Sequence, residues 1–70
     1  MRETPLEMAH RHVAEAEQRL LRQEWRVGEL ELHGHSALLP TDHALLEQLY
    51  GLLLEYRRHL DYELAKPPRG

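Results

Sequence analysis

Residues 6–34 read LEMAHRHVAEAEQRLLRQEWRVGELELHG, and this stretch carries the heptad repeat that decides the fold. Its apolar or small residues recur at alternating steps of three and four, and a second, leucine-rich heptad occupies residues 46–60. This spacing predicts two amphipathic helices that pack along one seam. The seam positions are Leu6, Ala9, Val13, Ala16, Leu20, Gln23, Val27, Leu30 and Gly34, then Leu46, Leu49, Leu53, Tyr56 and Leu60.

Start and stop signals give the bounds of the two helices. Thr4 and Glu7 have the spacing of a capping box, with Pro5 at the first helical position. Gly34 suits the left-handed residue that follows a helix, and Thr41 or Asp42 is the expected cap of the second helix. We therefore expect helix one over about 5–33, a connection over 34–41, helix two over about 42–65 and a loose tail over 66–70.

The fold class predicted is all-α, a single antiparallel two-helix hairpin of coiled-coil type. A chain of 70 residues with one contact seam buries little surface, so hairpins of this size usually need a disulfide, a metal or a partner. The chain has no cysteine, which excludes disulfides and thiolate zinc sites. We expect association instead, with two hairpins forming a four-helix bundle as a homodimer.

The two heptads also predict a register. With Val27 opposite Leu49, Leu20 lies opposite Tyr56 and Gln23 opposite Leu53. The same alignment brings together the flanking pairs Glu17 with Arg57, Glu31 with His43 and Glu24 with Tyr50. On the other side of the seam, Arg19 is expected to approach His59. Arg26 is expected to lay its stem over Leu52.

Helix one carries a further apolar line, which we call the tryptophan stripe and which comprises Ala14, Leu21, Trp25, Gly28 and Leu32. At about 100° per residue, its centre lies roughly 150° around the helix from the seam. One partner helix cannot cover both faces, so the stripe is predicted to be an interface, joined by Leu54 of helix two. The alternative is that Trp25 and Leu32 are isolated surface residues, which are common.

Gln23 is the polar residue of the seam. A single polar side chain among apolar seam residues often fixes the register or the oligomeric state, provided that it finds a hydrogen-bond partner. The alternative is a solvated position at the edge of the seam. Both interpretations remain open from the sequence.

The charge and hydropathy of the chain narrow the classes of partner. The net charge is -3 with neutral histidines, which argues against a dedicated nucleic-acid-binding protein, although Arg19, Arg22 and Arg26 form a short basic strip. The longest apolar run is too short to span a bilayer, and no signal sequence is visible. We therefore expect a cytoplasmic protein without membrane contact.

The chain has six histidines, and they are its best candidates for chemistry beyond packing. No two of them have the spacing of three or four that lets a helix hold one metal ion. His33, His35 and His43 surround the connection and are the candidate ligands of a zinc or nickel site. The alternative roles are capping of helix ends or a response to pH.

Nothing in the sequence predicts an enzyme or a cofactor. Ser36 is the single serine, and no carboxylate is placed to orient a Ser36–His35 dyad. The glycines are isolated and form no phosphate-binding loop.

Residues 12–19, HVAEAEQR, together with Gln23, the Gly34-His35 turn and the second helix up to His59-Leu60, resemble a group of short bacterial helical-hairpin proteins. Their pattern is H-[IV]-A-E-x-E-x-[RH], an internal glutamine, a G-H or G-R turn and a second helix. The resemblance covers roughly residues 10–60 and implies a hairpin without an established activity. This chain departs from the pattern in its apolar connection and at Ala16, where the family often has glycine.

Together these features predict a small, non-enzymatic interaction or adaptor protein that self-associates through helix one, with an unidentified protein as the other possible partner. A histidine-based metal-binding or pH-responsive protein is the alternative from another class. A regulator that touches nucleic acid through Arg19, Arg22 and Arg26 is the third.

Overall fold

The computed structural model describes residues 2–67, apart from the side chain of Ser36. Two long helices, α1 (Pro5–Leu32) and α2 (Leu39–Ala65), pack against each other and are joined by a single 3₁₀ turn over Ser36–Leu38. Of the described residues, 88% are helical and none lies in a strand. The predicted all-α architecture is therefore confirmed, and the hairpin measures 58 × 22 × 14 Å.

The start of α1 is fixed by the predicted capping box. The Thr4 hydroxyl accepts a hydrogen bond from the Glu7 amide at 3.1 Å, and the Glu7 carboxylate accepts one from the Thr4 amide at 3.3 Å. Pro5 occupies the first helical position, where a missing N–H leaves no bond unmade. Nearby, Arg11 bridges Glu3 and Glu15, both at 2.9 Å, and this bridge holds the pKa of Glu3 below its ordinary value.

The end of α1 is a left-handed glycine cap. Gly34 has φ 71°, as the sequence predicted. The His35 amide donates to the Leu30 carbonyl at 3.0 Å and the Gly34 amide donates to the Glu31 carbonyl at 3.4 Å. These two bonds form a Schellman motif, which satisfies carbonyls that the helix end would otherwise leave free.

The start of α2 differs from the expectation. The helix begins at Leu39 rather than near residue 42, because the 3₁₀ turn leads directly into it and Pro40 is tolerated within the first turn. Neither Thr41 nor Asp42 caps the helix, since α2 has no side-chain cap. Asp42 lies inside the first turn instead and points into the seam. At the other end α2 stops at Ala65, and residues 68–70 of the predicted tail lie outside the described residues.

The core of the hairpin is small. Ala16, Leu20 and Leu53 form its buried centre, and Val13, Leu46, Leu49 and Tyr56 pack against it while keeping part of their surface exposed. Among the described residues no large side chain is completely buried. A single seam cannot enclose its own edges, so the hairpin has limited apolar burial with which to offset the entropy of ordering the chain.

The register of the seam differs from the predicted one by about one heptad. The Tyr56 ring lies 5.0 Å from the His12 ring, centroid to centroid, whereas Tyr56 was expected opposite Leu20. Asp42 contacts Gln23 and Arg26, and Leu53 packs with Ala16 rather than facing Gln23. Most of the predicted seam residues lie in the seam, but Gly34 is exposed in the helix cap, Asp42 joins the seam unpredicted, and α2 is displaced by roughly two helical turns along α1.

Three of the four predicted flanking pairs nevertheless form, and the lean of helical side chains explains why. The fourth pair does not, since His59 lies 3.4 Å from Glu63 on its own helix rather than meeting Arg19. Glu17 and Arg57 are 3.6 Å apart, Glu31 and His43 are 3.6 Å apart, and Tyr50 donates to Glu24 at 3.1 Å. In the observed register the two members of each pair are offset by roughly 7 Å along the helix axes. Side chains lean toward the N-terminus of their own helix, so in an antiparallel pair these two lean toward each other. The flanking pairs therefore do not distinguish the two registers.

Candidate functional site

The tryptophan stripe lies on the surface of α1 that α2 does not cover. Trp25 is 72% exposed, Leu21 is 65% exposed and Leu32 is 82% exposed. Ala14 and Gly28 are exposed as well, and a Cβ added at Gly28 would meet nothing within 4 Å. Large apolar side chains at this exposure form a continuous line along one helix face, which is the arrangement typical of an interaction surface.

Leu54 lies on the same side of the hairpin as Leu21. On α2, Leu54 lies between Tyr50 and Arg57. Tyr50 contacts Glu24 of α1, and Arg57 contacts Glu17 of α1. Leu21 stands between Glu17 and Glu24 in the same way, three or four residues from each. The structure therefore places Leu54, which is 51% exposed, beside the tryptophan stripe across the helix boundary.

Tyr50 is attached to this side of the hairpin by its hydroxyl. The phenol donates a hydrogen bond to the Glu24 carboxylate at 3.1 Å, and this bond raises the pKa of Tyr50 above its ordinary value. The contact joins α1 to α2 beside Leu21 and Leu54.

Gln23 has the buried partner that the sequence left open. Its amide nitrogen donates to the Asp42 backbone carbonyl at 2.9 Å and to the Asp42 carboxylate at 3.0 Å. The Arg26 guanidinium donates to the same carboxylate oxygen at 2.8 Å. The main contact of Arg26 is therefore with Asp42 and not, as predicted, with Leu52. The Gln23 hydrogen bond and the Arg26 charge hold the pKa of Asp42 below its ordinary value. We call Gln23, Arg26 and Asp42 the polar cluster.

The role of Asp42 differs from the one that the sequence predicts. Aspartate is common at helix caps, and its position at the expected start of helix two favours that role. A usable signal was present, since Asp42 falls four residues before Leu46 and so continues the heptad of α2 toward its start. A buried glutamine needs a partner, and Asp42 is the polar residue at a seam position of the facing helix.

The other side of the hairpin holds an open groove between α1 and α2. Arg19, Arg22 and Arg26 line it on α1, Leu45 and Leu49 line it on α2, and Gln23 forms its floor. The groove has a volume of about 410 Å³. We call it the arginine groove. The basic strip recognised in the sequence therefore faces a leucine wall rather than open solvent on all sides.

The histidines near the connection are engaged with neighbouring carboxylates. His33 lies 3.2 Å from Glu29, one turn earlier on α1, and His43 lies 3.6 Å from Glu31 across the seam. The backbone amide of His35 belongs to the glycine cap. Among residues 2–67, no three histidine or carboxylate side chains are grouped so that they could hold a metal ion. The structure does not bring His33, His35 and His43 together as ligands.

Comparison with known proteins identified no relative of this chain. No protein-family model matches the chain, and no match is found among curated proteins or solved structures. Within the described residues, neither helix is long and apolar enough to cross a membrane. The functional interpretation of this chain therefore depends on its two exposed surfaces, the tryptophan stripe and the arginine groove.

Proposed function

We propose that this chain is a small, non-enzymatic interaction protein that pairs with a second copy of itself through the tryptophan stripe. The observation that carries the proposal is the exposure of Trp25, at 72%, in line with Leu21 and Leu32 on the face of α1 turned away from α2. Aromatic side chains contribute the largest apolar area to protein interfaces. An indole fixed on a rigid helix is a suitable anchor for such a contact.

The thin core supports the same proposal. The hairpin buries three apolar side chains at its centre and leaves the partly buried ones open at the edges of the seam. Small single-seam domains commonly gain stability by association. Two hairpins that face each other through α1 and Leu54 would form a four-helix bundle with twofold symmetry, which is the commonest symmetry of homo-oligomers.

Gly28 gives the proposed interface a specific geometry. A helix-interior glycine costs roughly 1 kcal/mol relative to alanine, and close approach of a second helix is one reason for tolerating that cost. Within the hairpin no side chain or backbone atom approaches its missing Cβ. Close approach of a partner helix beside Trp25 and Leu32 would supply that reason.

The first experiment measures the mass of the purified chain by light scattering across a range of concentrations. We expect the wild type to be dimeric at high concentration and Trp25→Ala to be monomeric there. The control is Tyr62→Ala, which removes an aromatic side chain of similar exposure, 63%, outside the stripe. Because Trp25 is the only tryptophan, its emission in the wild type should shift toward the blue as the dimer forms.

A paired glycine experiment separates association from folding. Gly28→Ala and Gly51→Ala both place a methyl group in open space on an exposed helix surface, so each should stabilise the monomer by roughly 1 kcal/mol. Only Gly28→Ala should weaken the dimer. The two measurements are denaturant unfolding of the dilute chain and sedimentation of the concentrated chain.

Two results would overturn the proposal. One is a wild-type chain that stays monomeric, with unshifted tryptophan emission, up to the highest concentration tested. The other is a dimer whose mass is unchanged by Trp25→Ala but lost in Tyr62→Ala, which would place the contact elsewhere on the surface.

A further inference from the structure

We infer that the arginine groove binds an acidic amphipathic helix of a partner protein, which would complete a three-helix bundle with α1 and α2. This surface lies on the side of the hairpin opposite the Glu17–Arg57 and Glu24–Tyr50 contacts, so the inference is independent of self-association through the tryptophan stripe. It depends on three observations, which are the two different walls of the groove, the unpaired arginines and the open shape.

The two walls of the groove differ in chemistry. The α1 wall is cationic, with Arg19, Arg22 and Arg26 at helical spacing. The α2 wall is apolar, with Leu45 at 42% exposure and Leu49 half-buried beside it. Leu52 continues this wall one heptad after Leu45 and is also half-buried. An occupant that satisfies both walls must be apolar along one line and negatively charged along the adjacent line.

The arginines retain positive charge for an incoming partner. Within residues 2–67, neither Arg19 nor Arg22 makes an ion pair, and Arg26 shares only the carboxylate of Asp42. The nearest acidic residues on the same side of α1 are already engaged, since Glu15 binds Arg11 at 2.9 Å and Glu29 lies 3.2 Å from His33. Carboxylates of a partner would therefore meet two guanidinium groups without competition from the chain itself.

The shape favours a helix over a small molecule or a nucleic acid. A small-ligand site usually encloses 70–90% of its ligand, and this groove lies open between two antiparallel helices. A phosphate backbone would pair with the arginines but leave the leucine wall uncovered. A helix laid along the seam would cover the leucines with its apolar row and place its flanking carboxylates over α1.

The test uses a synthetic helical peptide of about three heptads, with leucine at the seam positions and glutamate at the flanking positions. Its control is the same peptide with lysine in place of glutamate. We expect the acidic peptide to bind, with an affinity that falls as salt is raised, and the lysine peptide not to bind. Fluorescence anisotropy of labelled peptides measures both, at protein concentrations where the hairpin is monomeric.

Variants locate the contact on the hairpin. The double variant Arg19→Glu with Arg22→Glu should lose roughly tenfold or more in affinity for the acidic peptide, because two attractions become repulsions. Leu45→Gln should weaken binding while leaving the salt dependence in place. The matched controls are Arg58→Glu and Leu64→Gln, an exposed arginine and an exposed leucine outside the groove. Circular dichroism confirms that each variant remains helical.

Several outcomes would overturn the inference. Equal binding of the acidic peptide and its lysine counterpart is one such outcome, and a loss of binding in Arg58→Glu as large as that in the groove variants is another. Competition of the peptide by a DNA oligonucleotide, or strong binding of vesicles containing phosphatidylglycerol that depends on Arg19 and Arg22, would point to a phosphate-bearing partner instead. If Trp25→Ala abolished self-association and peptide binding together, the two surfaces would not be independent.

Discussion

The two halves of the seam are built from different chemistry. The half near the open end of the hairpin is apolar, with Ala16, Leu20 and Leu53 buried together. The half near the connection contains the polar cluster, in which Gln23 and Arg26 converge on Asp42. Apolar burial is not directional, whereas hydrogen bonds fix distances and partners. Apolar burial, which includes Val27 and Leu30 beside the polar cluster, therefore supplies most of the stability, and the hydrogen bonds of the polar cluster specify how the helices align.

The largest expected effect comes from shortening the buried leucine of the apolar half. Leu53→Ala should lower the free energy of unfolding by about 2–4 kcal/mol, because Leu53 is 5% exposed and its truncation removes the largest apolar contact with Ala16 and Leu20. Leu64→Ala is the control, since Leu64 is 56% exposed on the same helix. Urea unfolding followed by circular dichroism measures both. Equal effects of the two substitutions would mean that the seam does not hold the hairpin together.

A smaller loss is expected from removal of the donor in the polar half. Gln23→Ala should lower the free energy of unfolding by roughly 1–3 kcal/mol, because the Asp42 carbonyl and carboxylate lose a buried hydrogen-bond donor. Gln18→Ala changes the same side chain at an exposed position of α1 and should have little effect. A Gln23→Ala variant as stable as Gln18→Ala would show that the polar cluster contributes no net stability.

The polar half should also give the hairpin a distinctive response to acid. The pKa of Asp42 is lowered from its ordinary value of 3.8, so the folded state binds this proton less readily than the unfolded state does. The resulting stability is complete above that value and is lost as the pH falls through the lowered pKa of the folded state. Thermal unfolding between about pH 6 and pH 2 should show this loss.

The matched variant for the acid response is Asp42→Asn, which keeps an acceptor for Gln23 but has no charge. Its stability should depend less steeply on pH below about 4 than that of the wild type. A residual slope is expected from Glu3, whose pKa is also lowered, by its contact with Arg11. Identical slopes in the two proteins would show that Asp42 does not titrate differently in the folded and unfolded states.

The same comparison explains which parts of the fold were predictable from sequence. The capping box at Thr4, the glycine cap at Gly34 and the seam positions depend on local spacing, which the sequence displays directly. The register could not be predicted from local spacing, because a seven-residue repeat that slides by one heptad still places apolar residues against apolar residues. The Glu17–Arg57 and Glu24–Tyr50 pairs fit either alignment, so they supported the wrong register as well as the observed one.

The candidate surfaces were predictable to different degrees. The tryptophan stripe could be identified from helical periodicity alone, since exposure follows from its angle to the seam. The arginine groove could not, because its leucine wall comes from the other helix and its position depends on the register. Asp42 was missed for the same reason, as its partners become evident only when α2 is aligned correctly with α1.

The smallest expected change in stability, and the most direct test of the comparison, comes from replacing the polar pair of the seam by leucine. In Gln23→Leu with Asp42→Leu, added apolar contact offsets the lost hydrogen bonds, so the free energy of unfolding should change little. The alignment should become less unique, because the hydrogen bonds that tie Gln23 and Arg26 to Asp42 are lost and a seven-residue repeat still places apolar residues opposite each other after a slide of one heptad. The chain has no cysteine, so introduced pairs can report the register by disulfide formation.

His12→Cys with Tyr56→Cys reports the observed register, since those two rings are 5.0 Å apart. Arg19→Cys with Tyr56→Cys reports the shifted one, because residue 19 lies one heptad after residue 12. With Gln23 and Asp42 present, only the first pair should close; in the leucine variant the second pair should close as well. Exclusive closure of the first pair in both backgrounds would show that apolar packing alone selects the alignment, and the division of roles between the two halves of the seam would then be wrong.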